Sequence, residues 1–254
     1  MSGIGWAGIG ALAASLWGGA SMGGTQDASA RALESGRIVL ENAWLRFEVD
    51  ARRGGRRASF VDKRDGRERV APGRLEGLCF DGIYDQDGML YHGQWGIDQA
   101  LPYESEITAP GGARAAVRVW REAVARESGV GNENYDGLTL EREFALAADT
   151  PALRVTVRIR NRAAEGRRPA YFIRSGDMDH PERARIRYTR PSRRGLQTGG
   201  PDDPATDQMV WDPAAGWTAT GETETGHGAV WLMEASRLMM FYTSIAAITA
   251  RHVE

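Results

Sequence analysis

The stretch that decides the fold class is Leu153-Arg154-Val155-Thr156-Val157-Arg158-Ile159-Arg160. Its aliphatic residues alternate with arginine or threonine throughout. Because successive side chains of a strand point to opposite faces, this period of two predicts a strand with one buried face and one hydrated face. Antiparallel sheets commonly leave one face in water, so the pattern favours an antiparallel sheet.

Similar short runs fill the chain beyond residue 36 and are separated by Gly, Asp, Pro and Asn. Gly54-Gly55, between the alternating segments 45–49 and 58–62, predicts a hairpin turn, because paired glycines supply positive φ angles. Helical periodicity is weak, and no alternation of strands with helices occurs, so the predicted class is all-β. Further strands are predicted at residues 75–83, 113–125, 138–146, 153–160, 170–174, 229–233 and 238–243.

Two long segments, 84–103 and 177–207, do not have the pattern of strands. Loops of this length in a compact domain are uncommon and tend to carry function or to be disordered. No repeat and no linker divides the chain, so the prediction is one β-sandwich domain over residues 36–254.

Residues 1–30 differ from the rest of the chain. An uncharged, Gly- and Ala-rich stretch over residues 4–20 precedes Ala28-Ser29-Ala30, which has the form of a signal-peptidase site. We interpret this segment as a signal peptide, with a disordered leader as the alternative, so the predicted location is secreted or periplasmic. The chain would then have no membrane contact after signal cleavage.

Charge and cysteine content exclude some classes of function. The chain has 32 Lys plus Arg against 34 Asp plus Glu, a formal charge of −2, which gives no global attraction for nucleic acid. Together with the predicted export, this argues against a nucleic-acid partner. The single cysteine, Cys79, excludes an intramolecular disulfide.

Several stretches together resemble a known family. They are Glu41 to Val49, Gly54-Gly55, Ser59 to Lys63, Gly66-Arg67-Glu68, Leu138 to Phe144, Leu153 to Asn161, Pro169 to Phe172 and Gly216 to Leu238. They resemble galactose-mutarotase-like domains, the antiparallel β-supersandwich of aldose epimerases and of domains in several polysaccharide-active enzymes. The resemblance covers roughly residues 37–245. Since that family usually continues for several more strands, it implies a truncated or shortened member that ends inside or just after residues 245–254.

The resemblance fails at the catalytic motif. Aldose epimerases carry an Asn-His pair where this chain has Arg174-Ser175-Gly176-Asp177. Without an imidazole to protonate the ring oxygen, that reaction lacks its acid partner, so the chain is predicted to bind sugar without epimerase activity unless His180 or His227 takes this role. His180 with Asp177 and Asp179, directly after a strand, are the candidate catalytic residues if the chain is an enzyme.

The segment 84–103 is rich in aromatic, amide and carboxylate side chains. Flat aromatic faces pack against the C–H surfaces of sugars and planar polar groups bind their hydroxyls, so this composition predicts a glycan groove. An ordinary loop whose aromatic residues pack onto the sandwich is the alternative. The candidate ligand-binding residues are Tyr91, His92, Gln94, Trp95, Asp98 and Arg174.

Arginine clusters and acidic residues suggest two further ligands. Residues 52–57 and 183–194 are rich in arginine, whose planar fork grips carboxylates, so they favour an acidic polysaccharide, with a solvated surface as the alternative. Asp81, Asp85 and Asp87 offer carboxylates for calcium, although a hydrated acidic turn is the simpler interpretation. No zinc-ligand spacing occurs, so no cofactor is predicted.

The sequence therefore predicts an exported carbohydrate-binding domain associated with polysaccharide processing. The alternative is a carbohydrate-active enzyme: an aldose epimerase, a polysaccharide lyase or a glycoside hydrolase. A third hypothesis is a structural or interaction domain without a sugar site.

Overall fold

Alternation in the sequence becomes alternation in burial. In the computed structural model, the stretch that opens the sequence argument is a strand, Ala152–Asn161. Leu153, Val155 and Val157 are buried, whereas Arg154 between them is exposed. The same rule holds in the strand Arg114–Glu122, where Val117 and Val119 are buried. Each strand therefore contributes one apolar face to the core.

The structure describes residues 9–14, 27–69, 80–85, 101–122, 137–162, 164, 169–175, 186–200, 209–211, 215–222, 228–234, 238–244 and 247–253. Within these ranges the regular elements are all strands. In chain order they are β1 (Ile9–Ala14), β2 (Ala28–Ala32), β3 (Arg37–Glu41), β4 (Leu45–Asp50), β5 (Arg56–Asp62), β6 (Arg67–Glu68), β7 (Phe80–Asp85), β8 (Glu104–Ala109), β9 (Gly111–Gly112), β10 (Arg114–Glu122), β11 (Leu138–Ala147), β12 (Ala152–Asn161), β13 (Pro169–Ser175), β14 (Ile186–Ser192), β15 (Gly195–Gly199), β16 (Met209–Trp211), β17 (Trp217–Glu222), β18 (Gly228–Leu232), β19 (Leu238–Ser244) and β20 (Ala247–Val253).

These strands form three sheets. The nine-stranded sheet has the order β15-β14-β17-β18-β1-β12-β11-β10-β8, and the six-stranded sheet has the order β6-β5-β4-β3-β2-β9. A five-stranded sheet has the order β16-β19-β20-β13-β7. Neighbouring strands in every sheet are antiparallel. The prediction of an all-β, antiparallel β-supersandwich is confirmed.

The core lies between the nine-stranded and six-stranded sheets. Phe47 of β4 and Phe144 of β11 are fully buried, and their ring centroids lie 5.0 Å apart across the two sheets. Leu40, Val117 and Leu153 belong to the same apolar cluster. Burial of each such side chain stabilises the fold by about 1.5–3 kcal/mol, so this layer holds the two sheets together.

Two local features fix how the sheets meet. The predicted turn at Gly54-Gly55 is present, with φ angles of 73° and 56°, which a residue with a Cβ rarely adopts. The Asn42 side chain donates to the carbonyl oxygens of Ala147 and Thr150 at 2.7 and 2.9 Å. Its Oδ1 accepts from the Leu45 backbone N–H at 2.7 Å, so this buried amide ties the β3–β4 turn to the β11–β12 turn.

The prediction of a loop over residues 177–207 was wrong in part, because β14 and β15 form a hairpin there, closed at Arg193 and Arg194. Tyr188 and Arg190 of β14 are both buried. The arginine occupies a position where alternation calls for an apolar residue, which hid the strand pattern. Residues 84–85, expected in the other loop, end β7.

The segment interpreted as a signal peptide contains β1, which lies between β12 and β18 in the nine-stranded sheet. Ala28-Ser29-Ala30, interpreted as a cleavage site, lies in β2, where Ala28 is buried against the core. Cleavage after Ala30 therefore stays a prediction, and it would divide this strand.

Candidate functional site

Strands β8, β10, β11 and β12 of the nine-stranded sheet carry a group of charged and aromatic residues on the face turned away from the core. Strand register places Glu104, Trp120, Glu141 and Arg158 in one row across β8, β10, β11 and β12. The neighbouring row, two residues along each strand, contains Arg118 opposite Glu106. We call this surface the polar face, defined by Glu106, Arg118, Trp120, Glu141, Arg158 and Arg160.

Glu141 is the centre of the polar face. Its side chain is only 6% exposed, yet it lies 2.7 Å from Arg158, 3.3 Å from Arg160 and 3.8 Å from Arg118, measured between carboxylate oxygens and guanidinium nitrogens. A buried carboxylate is costly unless it is paired, and these three cations provide the pairing. Glu141 therefore fixes the positions of the surrounding guanidinium groups.

Trp120 provides an aromatic surface next to this charge cluster. The Arg118 guanidinium lies over its ring, 4.6 Å from the centroid, and also donates to Glu106 at 2.6 Å. Trp120 is partly exposed, and half of the Arg160 side chain is accessible. The surface thus combines an aromatic ring, one face of which is covered by Arg118, with planar hydrogen-bond donors and carboxylate acceptors. Such a set can bind a ligand that has both C–H surfaces and hydroxyl or carboxylate groups.

Arg142 follows Glu141 in β11, lies on the opposite, core-facing side of that strand and is fully buried. Its guanidinium donates at 3.0 Å to the carbonyl oxygens of Gly54 and Gly55 and to the Tyr103 hydroxyl. It also lies 4.9 Å from the centroid of the Tyr103 ring. Arg142 thereby connects the glycine turn and the start of β8 to β11, the strand that carries Glu141.

One carboxylate of the six-stranded sheet has a shifted pKa. Burial acts to raise the pKa of Asp62, but hydrogen bonds from the Arg64 side chain and backbone N–H outweigh it and hold this pKa below its usual range. The nearby charges of Arg64 and Arg69 act in the same direction. This ion pair belongs to the turn that follows β5, so its role is structural.

The candidate residues from the sequence lie mostly outside the described residues. These are Tyr91, His92, Gln94, Trp95, Asp98, Asp177, Asp179 and His180. Arg174 lies in β13, opposite Phe80 of β7. Because β7 and β13 are antiparallel, their last residues, Asp85 and Ser175, lie at opposite ends of this strand pair.

The arginine clusters are only partly available for a ligand. Arg57 and Arg190 are buried, and the Arg57 guanidinium lies 5.6 Å from the centroid of the Phe60 ring. The prediction that these two arginines bind a polysaccharide at the surface was therefore wrong. Arg52, Arg53 and Arg187 are exposed. Sequence patterns cannot separate these two groups, because burial depends on which strand face each arginine occupies.

Asp81 and Asp85, two of the residues considered for calcium, lie in β7 instead of a turn, and Asp87 is outside the described residues. Across the part of the chain that the structure describes, no group of three His, Cys, Asp or Glu residues could hold a metal ion. The described part also contains no helix with the length and apolarity to cross a membrane.

Comparison with known proteins identifies the fold through structure, not sequence. No protein-family model matches the chain, and no curated protein matches it. A galactose mutarotase-like protein from Clostridium acetobutylicum has a TM-score of 0.57 and 11% identity, covering 88% of this chain and 87% of that chain. A galactose mutarotase-like protein from Lactobacillus casei has a TM-score of 0.53 and 14% identity, covering 85% and 87%.

A TPR-domain containing protein from Parabacteroides distasonis has a TM-score of 0.57 and 14% identity, covering 85% of this chain. This chain spans only 42% of that longer protein. Identities this low establish a shared fold and leave activity open, since one fold supports many functions. The two mutarotase-like structures nevertheless agree with the resemblance in the sequence and with the three antiparallel sheets. The chain therefore has a galactose-mutarotase-like β-supersandwich fold.

Proposed function

We propose that this chain binds carbohydrate on the polar face. The observation that supports this most directly is the row of Trp120, Glu141 and Arg158, where an aromatic ring lies beside fixed hydrogen-bonding groups. Aromatic stacking onto sugar C–H groups and planar donors to sugar hydroxyls need this pairing of surfaces. Two of the structural neighbours are described as galactose mutarotase-like, which agrees with a sugar ligand.

An acidic saccharide is the preferred ligand class within this proposal. The polar face places three guanidinium groups, those of Arg118, Arg158 and Arg160, around the buried carboxylate of Glu141. Arg158 and Arg160 lie on the same face of β12, and half of the Arg160 side chain is exposed. A uronate carboxylate can accept hydrogen bonds from such a guanidinium pair.

The test is a glycan-binding screen with neutral and uronic-acid oligosaccharides side by side, using the chain and its Trp120→Ala variant. We expect Trp120→Ala to weaken binding about tenfold or more, equivalent to roughly 1.4 kcal/mol. Trp44→Ala is the matched control, because Trp44 packs against the core from the β3–β4 turn. If Trp120→Ala binds as well as the unchanged chain does, the polar face is not the site.

Residues 84–103 are the second proposed site, on their aromatic and amide composition. A Trp95→Ala variant in the same screen separates the two: loss of binding there, with Trp120→Ala unaffected, assigns the sugar to this segment. A carbohydrate-active enzyme is the alternative proposal, with His180, Asp177 and Asp179 as its candidate groups. Release of new reducing ends or unsaturated products from a bound oligosaccharide would favour it over simple binding.

Export is a separate part of the proposal and rests on the uncharged residues 4–20 and on Ala28-Ser29-Ala30. Secretion or periplasmic release would give this protein access to extracellular polysaccharide. The measurement is the N-terminal mass of the protein recovered from medium or periplasm. A product that begins at Arg31 supports processing, and an intact product found only in the cytoplasm contradicts export.

A further inference from the structure

The strand β1 occupies an unusual place in the nine-stranded sheet. It pairs with β12 over six consecutive residue pairs, from Ile9↔Val157 to Ala14↔Ala152. On its other side it pairs with β18, from Leu12↔Leu232 to Ala14↔Val230. A segment from the start of the chain is therefore a central strand, paired on both sides.

Removing this strand would divide the sheet. The order β15-β14-β17-β18 lies on one side of β1 and β12-β11-β10-β8 on the other. Because β1 is antiparallel to both neighbours, β12 and β18 run parallel to each other, and a tight hairpin turn joins only antiparallel strands. The gap has the width of one strand, since neighbouring strands lie about 4.8 Å apart.

We infer that the gap between β12 and β18 is a strand-acceptor site whose occupant is the N-terminal segment Ile9–Ala14 of this same chain. Each edge of the gap presents backbone N–H and C=O groups that an extended segment satisfies on both sides. Adding a strand in this way is a common mode of peptide recognition, in which the backbone provides affinity. An open edge would otherwise invite pairing with other chains.

The inference is independent of sugar binding, but it affects the scaffold of the polar face. Strand β12 carries Arg154, Thr156 and Arg158, and β1 pairs with the edge of β12 that β11 does not occupy. Cleavage after Ala30 would remove this support. The unprocessed chain is therefore the form in which the nine-stranded sheet is complete.

Disulfide trapping in the full-length chain tests the register directly. In a Cys79→Ser background, which removes the single native cysteine, we introduce Gly10→Cys with Thr156→Cys, a directly opposed pair. Opposed residues have Cα atoms about 4.5–5.5 Å apart, within the range that a disulfide spans. The matched control is Gly10→Cys with Arg160→Cys, shifted by four residues or roughly 13 Å along β12.

We expect about tenfold more cross-link in the opposed pair than in the shifted pair, because Cα atoms more than ~7 Å apart are not bridged. Leu12→Cys with Leu232→Cys tests the other edge, where these two residues are opposed. Ala11→Pro should lower the melting temperature, since proline cannot donate to the ladder. Equal cross-linking of opposed and shifted pairs would overturn the inference. So would a processed protein beginning at Arg31 whose β12 and β18 amides exchange as slowly as those of the full-length chain.

Discussion

Replacing Arg142 by methionine tests whether the buried guanidinium is a structural anchor. The change keeps a long side chain but removes the donors to Gly54, Gly55 and Tyr103, each at 3.0 Å. Gly54, Gly55 and Tyr103 are all buried, so water cannot readily replace the lost hydrogen bonds.

The magnitude follows from opposing effects. Two backbone carbonyls lose a charged donor, and a buried group left unsatisfied costs about 1–3 kcal/mol. Loss of the stacking on Tyr103 adds about 1–2 kcal/mol, as for a desolvated cation–π contact. Methionine offsets part of this, because it avoids burying a charge, which costs several kcal/mol per ion. We expect a net loss of about 3 kcal/mol, or roughly 6–12 °C in melting temperature for a domain of this size.

The assay is urea denaturation, with stability compared at constant m-value so that the shift in midpoint reports stability alone. The control is Arg114→Met on the neighbouring strand, where the side chain is 47% exposed and pairs with Glu143. An exposed ion pair contributes about 0–1 kcal/mol, so the control should change little. A loss below about 1 kcal/mol in Arg142→Met would refute the anchoring role, because even one unsatisfied buried carbonyl costs that much.

Three more changes test other parts of the structure. Gly55→Ala should cost more stability than Gly66→Ala. Both positions have a positive φ, which costs about 1–2 kcal/mol, but a Cβ at Gly55 would lie 2.8 Å from Val119, whereas a Cβ at Gly66 would have no neighbour within 4 Å. Equal melting temperatures of the two variants would contradict this. Asp62→Asn should reduce the loss of stability between pH 5 and 2. The Asp62 carboxyl has a lowered pKa in the folded chain, so it stabilises the fold above its unfolded pKa of about 3.9, and this stabilisation is lost as the pH falls through its folded pKa. An unchanged acid-unfolding curve would show that the ion pair is unimportant. Glu141→Gln should lower stability by about 1–2 kcal/mol, because the charges of the three arginines then repel one another without a counterion; this figure is already reduced for their partial exposure. Thermal melting at low and high salt measures the effect. A neutral result in low salt would count against it.

The fold was predictable where one face of a strand is purely apolar. Leu153, Val155 and Val157 alternate with polar residues and proved to be a strand, and Gly54-Gly55 proved to be a turn. The β14 strand was missed because buried Arg190 interrupts the apolar pattern. A buried arginine is stabilised by tertiary contacts, which a local pattern does not contain.

The polar face could not be predicted from the sequence for a related reason. Trp120, Glu141 and Arg158 are separated by about twenty residues at each step, and only the register of three strands brings them into one row. Alternation showed that these residues share the hydrated side of their strands. It gave no information about which residue would lie opposite which.

The pairing of β1 also has a consequence for the order in which the chain assembles. Ribosomes add about 5–20 residues per second, so on the order of ten to forty seconds separate the emergence of residue 14 from that of residue 228. During this interval an apolar segment has no strand of β18 to pair with. Contacts between such distant parts of a chain also slow folding. The newly made segment is thus available to a chaperone or an export receptor before β1 can pair with β18 in the sheet.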